Sequence, residues 1–142
     1  MGSPVSVGTL AASGAITLDN PDNRLSGALS LSAANTMTLA NGITSIRALN
    51  AEHFTYTGQD LTVTGPMVVA GTTELTSTGR IDARNPANHL ARLQVNSAGS
   101  AALTLGADST LVVANVGGTL QAQADGLMVT GDITAAALEL IA

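Results

Sequence analysis

The chain contains no cysteine, no lysine and no tryptophan in its 142 residues, and Phe54 and Tyr56 are its only aromatic side chains. Without cysteine, disulfides and thiolate metal sites are excluded as sources of stability, while the compartment stays open. Five arginines stand against ten acidic residues, for a net charge of -5. Nucleic acid is therefore not an expected partner, because phosphate neutralisation needs clustered cations. No apolar run approaches the roughly 18 uninterrupted residues of a membrane-spanning helix, so membrane insertion is not expected. With so few rings, a core of the ordinary globular kind is excluded too, since rings usually supply much of its buried area. Yet 45% of the residues are apolar. An interior filled by Val, Leu, Ile and Ala must be narrow.

What the chain does have is repetition. The stretch around Ile16-Thr17-Leu18-Asp19-Asn20-Pro21-Asp22-Asn23-Arg24 returns around Ile81-Asp82-Ala83-Arg84-Asn85-Pro86-Ala87-Asn88-His89, so that Asn85 takes the place of Asn20. Leu61-Thr62-Val63-Thr64-Gly65 returns as Leu127-Met128-Val129-Thr130-Gly131 at nearly the same offset. Within these long units, approximately 9–73 and 74–138, apolar positions recur at Leu18, Leu39, Leu61, Ala83, Leu105 and Leu127, at gaps of 21 and then 22. Most of the triplets at these positions place a polar residue between two apolar ones. Alternation of this kind marks a strand with one buried face.

Asn41-Gly42, Gly117-Gly118, Asp125-Gly126 and the two Asn-Pro pairs supply turn chemistry between the short strands. The spacing predicts a single right-handed parallel β-helix over 1–142, of about six to seven coils with roughly 22 residues and two or three strands per coil. Ile133 to Leu140 is expected to form a short terminal helix or cap, because an end coil otherwise exposes apolar surface and unpaired backbone. Met1-Gly2-Ser3-Pro4 resembles a vector-derived leader and not a signal peptide, which suggests a piece of something longer.

Candidate sites are few. The doubled Asn-Pro-x-Asn, at Asn20, Pro21 and Asn23 and again at Asn85, Pro86 and Asn88, reads first as a structural turn, with Arg24 and His89 beside it as a secondary contact surface. Asp19 with Asp22 could form a carboxylate pair for glycoside hydrolysis, although the second copy has Ala87 where the first has Asp22. Glu52, His53 and Tyr56 lie close in sequence, but strand alternation points His53 away from Phe54 and Tyr56, which are expected to fill a wider coil. Neither a catalytic set nor a metal-ligand or cofactor set emerges: His89 stands alone, and no calcium nonapeptide, nucleophile elbow or phosphate loop is found. The Thr-x-Thr pairs at Thr36/Thr38, Thr55/Thr57, Thr62/Thr64 and Thr76/Thr78 suggest the flat faces of ice-binding solenoids. The uneven intervals between their first members do not give a strict rank.

The G-x-I-T-L-D-N-P-x-N pattern, the Leu/Ser/Thr/Gly alternation after it and the later L-T-V-T-G resemble the repeats of filamentous-haemagglutinin-like exoproteins of two-partner secretion. Autotransporter passengers and phage spikes carry similar coils. The resemblance implies a secreted or cell-surface β-helical shaft, non-catalytic, structural or adhesive. Its partners would be host glycans, surface proteins and neighbouring β-helix segments of a longer chain. The alternatives are a polysaccharide-active β-helix using Asp19 and Asp22, a phage spike or baseplate shaft, and an ice-binding solenoid.

Overall fold

The structure is a computed structural model, and it describes residues 9–18, 28–41 and 44–141. Twelve strands account for nearly all of this: β1 (Thr9–Ala12), β2 (Ile16–Leu18), β3 (Ala28–Ala33), β4 (Thr36–Asn41), β5 (Thr44–Ala51), β6 (His53–Gly58), β7 (Leu61–Val63), β8 (Met67–Ser77), β9 (Ile81–Ala83), β10 (His89–Ser97), β11 (Ala101–Val129) and β12 (Ile133–Ile141). Every pairing between them is parallel, and each strand pairs with its counterpart one coil further on. The fold is a β-solenoid.

Each coil contributes to three stacked sheets. Side A holds β2, β4, β6 and then residues 72–77, 92–97, 110–116 and 133–135. Side B holds β1 and residues 30–33, 48–51, 67–69 and 89–90. Side C holds residues 28–29 and 44–46, then β7, β9 and residues 101–103. Along side A one inward column runs Leu18, Leu39, Tyr56, Leu75, Val95, Ala114 and Ile133. Its six steps from Leu18 to Ile133 average about 19 residues per turn, near the short end for a solenoid repeat.

The period is shorter and less regular than the sequence spacing suggests. Ile16 faces Met37, Met37 faces Phe54 and Phe54 faces Thr73, offsets of 21, 17 and 19. Leu18 does stack on Leu39, but Leu39 stacks on Tyr56 and not on Leu61. Leu61 lies on side C against Thr44 and Ile81. A frame of constant length therefore jumps from one side of the solenoid to another. The Leu61-to-Gly65 echo makes the same jump, since Gly126 packs against Asp108 and Thr130 N–H donates to Leu111 O, away from side C. The corners absorb the differences in length, and the strands between them stay in register.

The expected terminal helix is not formed. Ile133–Ile141 is β12, in parallel register on β11 from Ala114↔Ile133 to Gln123↔Ile141. The local run Ala135-Ala136-Ala137-Leu138 favours a helix, but the exposed edge of β11 offers a ladder of backbone partners, and tertiary pairing overrides local propensity.

Inside, like stacks on like. Ile16, Met37, Phe54, Leu93 and Leu111 share a second side-A column and are all buried, with Thr73 in their midst. Phe54 and Tyr56 are completely enclosed in one coil, while His53 faces outward. The Tyr56 hydroxyl donates to Asp60 O at 3.1 Å. Thr73, directly above Phe54, is smaller than its aliphatic neighbours and so accommodates the ring. Its Oγ1 is buried without a hydrogen-bond partner. A buried hydroxyl left unpaired costs about 1–3 kcal/mol. Thr73→Val keeps the shape and removes the hydroxyl, so it should stabilise the fold by about 1 kcal/mol. Urea denaturation checks this: the midpoint should rise at unchanged slope, and a fall would show that the hydroxyl is satisfied.

Candidate functional site

At most corners, polar side chains bond to backbone. The corner from side C to side B in the fifth coil carries Arg84-Asn85-Pro86-Ala87-Asn88. Asn88 is buried, and its Oδ1 accepts from Met67 N–H at 2.9 Å, in the coil before. Its Nδ2 donates to Ala83 O and to Thr104 O in the coil after, both at 3.0 Å. One amide thus ties three coils together. Asn85 Oδ1 accepts from Ala87 N–H at 2.8 Å and its Nδ2 donates to Thr64 O at 3.4 Å. Pro86 is exposed between them, and His89 is exposed on side B opposite Val68. Asp19, Asn20, Pro21, Asp22, Asn23 and Arg24 lie outside the described residues.

The corner from side A to side C works similarly. Ser97 Oγ donates to Gly79 O at 2.9 Å, and Ser77 Oγ donates to Gln59 O. Asp60 Oδ1 accepts from Arg80 N–H at 2.8 Å, and Ser100 Oγ accepts from Thr119 N–H at 3.1 Å. Backbone approach is so close at Gly65 that a Cβ there would collide with the carbonyl oxygen of Arg47 one coil earlier. Only glycine fits at that point.

The charged groups are dispersed. Arg84 holds Asp82 through two parallel bonds, Nε to Oδ1 at 2.9 Å and Nη2 to Oδ2 at 3.0 Å. Asp82 raises the Arg84 pKa, chiefly through this hydrogen bond and then through its charge. His53 Nδ1 accepts from Thr72 N–H at 3.1 Å, so His53 and the buried Tyr56 point apart. Among the described residues no group of three or more His, Cys, Asp or Glu side chains could hold a metal ion. Nor is any helix there long and apolar enough to cross a membrane.

Side A presents a different surface. A shallow groove of ≈ 430 Å³ crosses four of its strands, lined by Thr55, Glu74, Thr76, Gln94, Asn96 and Asn115 with Val113. These residues form two outward columns. Thr55, Glu74, Gln94 and Val113 stack in one, and Thr57, Thr76, Asn96 and Asn115 in the other. The same register settles the threonine pairs. Thr38 stacks on Thr55 and Thr57 on Thr76, so each pair slips by one alternate position relative to the next. The threonine column ends at Glu74, and Thr62 lies on side C.

Of the groove residues only Thr55 and Thr76 are candidates read from the sequence, as members of the threonine pairs; Glu74, Gln94, Asn96, Val113 and Asn115 are not. Alternation alone marks them as outward-facing. Grouping them requires the coil register, which a constant frame misplaces.

A family model described as "Repeats of unknown function (DUF5649)" matches residues 2–32 and 26–97. The chain belongs to this repeat family. The second DUF5649 match takes in side C of the second coil and runs to the end of side A in the fifth, so the match spans whole coils and includes the Asn85-to-Asn88 corner. Comparison of the DUF5649 chain with curated proteins and with solved structures gives no match.

Removing the Asn88 amide would strand a buried N–H and two carbonyls in three coils. Asn88→Ala should cost about 3 kcal/mol of folding stability, and Asn85→Ala, half-exposed and with a longer outer bond, about 1 kcal/mol. Chemical denaturation of both variants checks the order, and equal losses would contradict it.

Proposed function

We propose that the chain is a shaft segment of a large secreted or surface-displayed bacterial exoprotein, non-catalytic, in which stacked coils hold other modules at a distance. The observation that carries this reading is the state of β12. Leu138 stacks on Leu120 and Leu140 on Ala122, both fully buried one coil below. The core columns thus run on into β12, yet Leu138 is 52% exposed and Leu140 39%. Ile141, Met128 and Val129 are exposed beside them. Among the described residues β12 pairs with β11 alone, so its second edge has no strand upon it. Solenoids whose core is unfinished at an edge are stabilised by the next coil or by a polar cap.

The resemblance to filamentous-haemagglutinin-like repeats supports the same reading, as does the placement of the acids. Glu74 is outward on side A, Asp82 is paired with Arg84 on side C, and Asp60 bonds a backbone N–H. These three do not converge on one point where a substrate bond could sit between them, and Asp19 and Asp22 lie outside the described residues.

The register specifies the test. Since Gln123 stacks under Ile141, a second copy of residues 124–141 placed directly after Ile141 supplies one further turn in frame. If the solenoid is built to be continued, the added turn should raise the thermal midpoint by several degrees, on the order of the effect of 1–2 kcal/mol. It should also leave the binding of a hydrophobic dye no greater, since the new turn buries Leu138 and Leu140 as it exposes their copies. A disordered added turn with a lowered midpoint would make β12 a natural end and sink the shaft reading.

A further inference from the structure

Polar side chains in this molecule divide by position. At the corners they are engaged: Asn85, Asn88, Ser77, Ser97, Ser100 and Asp60 all bond to backbone. In the side-A groove they are not. The side chains of Thr55, Glu74, Thr76, Gln94, Asn96 and Asn115 make no hydrogen bond or ion pair with any described residue. The strands beneath these six side chains are laddered on both edges. Binding there would order side-chain rotamers and leave the backbone as it is, which keeps the entropic cost low.

The geometry and chemistry of the lining limit the occupant. Successive strands lie about 4.8 Å apart and alternate residues along a strand about 6.6 Å apart, so the columns form a flat lattice, polar except at Val113, roughly 15 Å long over four coils. Amides and hydroxyls each donate and accept, whereas a carboxylate accepts only. A complementary ligand is elongated and carries many groups that themselves both donate and accept. Glu74 is the one charge in the lining, and the whole chain carries -5, so an acidic polymer would be repelled. Strand edges are closed along this side, so an added peptide strand finds no backbone ladder there.

We propose that the side-A groove binds a neutral, linear oligosaccharide lying along the solenoid axis. This deepens the shaft reading, and rests on it for its setting, by giving one side of the shaft an adhesive role. Phe54 and Tyr56 are inside the core, so no aromatic platform stacks on the sugar rings. Each site is weak, with a dissociation constant of about a millimolar, and adhesion comes from repetition along the shaft.

Side-chain amide resonances of the isotope-labelled chain read the binding directly. The neutral probes are cellohexaose, maltohexaose and xylohexaose, and the acidic probes are a heparin hexasaccharide and hexagalacturonate. At least one neutral probe should shift the amides of Gln94, Asn96 and Asn115 saturably and leave that of Asn88 in place. The double variant Gln94→Ala/Asn96→Ala should bind that probe about tenfold more weakly at an unchanged thermal midpoint. Thr62→Ala on side C should bind as the parent does. No saturable shift with any neutral probe at about 10 mM would overturn the proposal, a ceiling about ten times the expected dissociation constant. So would shifts centred on Asn85 to His89, or tighter binding of the acidic probes. Loss of binding beside a well-folded added coil sinks the ligand and spares the shaft, and the converse pair of results does the reverse.

Discussion

Parallel stacking in register is the constraint on which the rest of this molecule depends. Each strand bonds to its counterpart in the next coil, so a residue inherits the environment of the residue one turn below. An inward position must remain inward for every coil. That is why Ile16, Met37, Phe54, Leu93 and Leu111 form one column. It also explains how 45% apolar residues enclose a core with two rings: a narrow interior has no space between sheets for bulky side chains to fill. The departure at Thr73 follows from the same rule. A column that admits Phe54 must give up volume beside it, and a small β-branched residue does so; volume alone does not explain why that residue is Thr, whose hydroxyl is left unpaired.

The architecture was legible because alternation and turn residues are local signals. Ile16-Thr17-Leu18, Met37-Thr38-Leu39 and Ile81-Asp82-Ala83 are all strands, each where the pattern puts one. Register was not legible, because it depends on how many residues each corner consumes. The corner of the fifth coil takes five residues between Ala83 and His89, whereas that of the fourth takes three between Val63 and Met67. Averaging such corners into one period moved Leu61 from side C to the Leu39 column. The helix expected at Ile133 failed for a related reason, since an open ladder one coil below is a non-local partner that no short window contains.

The candidate site divides in the same manner. Asn85 and Asn88 stand out in the sequence because they belong to a doubled motif, and the fold employs them in backbone bonds. Glu74, Gln94, Asn96 and Asn115 belong to no motif. They come together only when the strands of successive coils are laid side by side.

This division has a physical origin. A corner leaves backbone N–H and C=O groups without ladder partners, and buried ones must be satisfied, so polar side chains there are recruited inward. Along the middle of a flat side the backbone groups are paired by the coils above and below, and side chains serve them only at its ends, as at Met67 and Thr72. In the side-A groove an outward amide or hydroxyl then has no backbone group to satisfy, and its hydrogen-bonding capacity is turned to solvent or to a ligand. Substitutions at Asn88 are therefore constrained by the fold, while those at Gln94 or Asn96 change the surface and leave the core columns untouched. A solenoid that varies along its flat sides can alter what it touches without altering how it stacks. The short threonine column that yields to Glu74 and Gln94 on side A is the kind of variation the stacking rule permits.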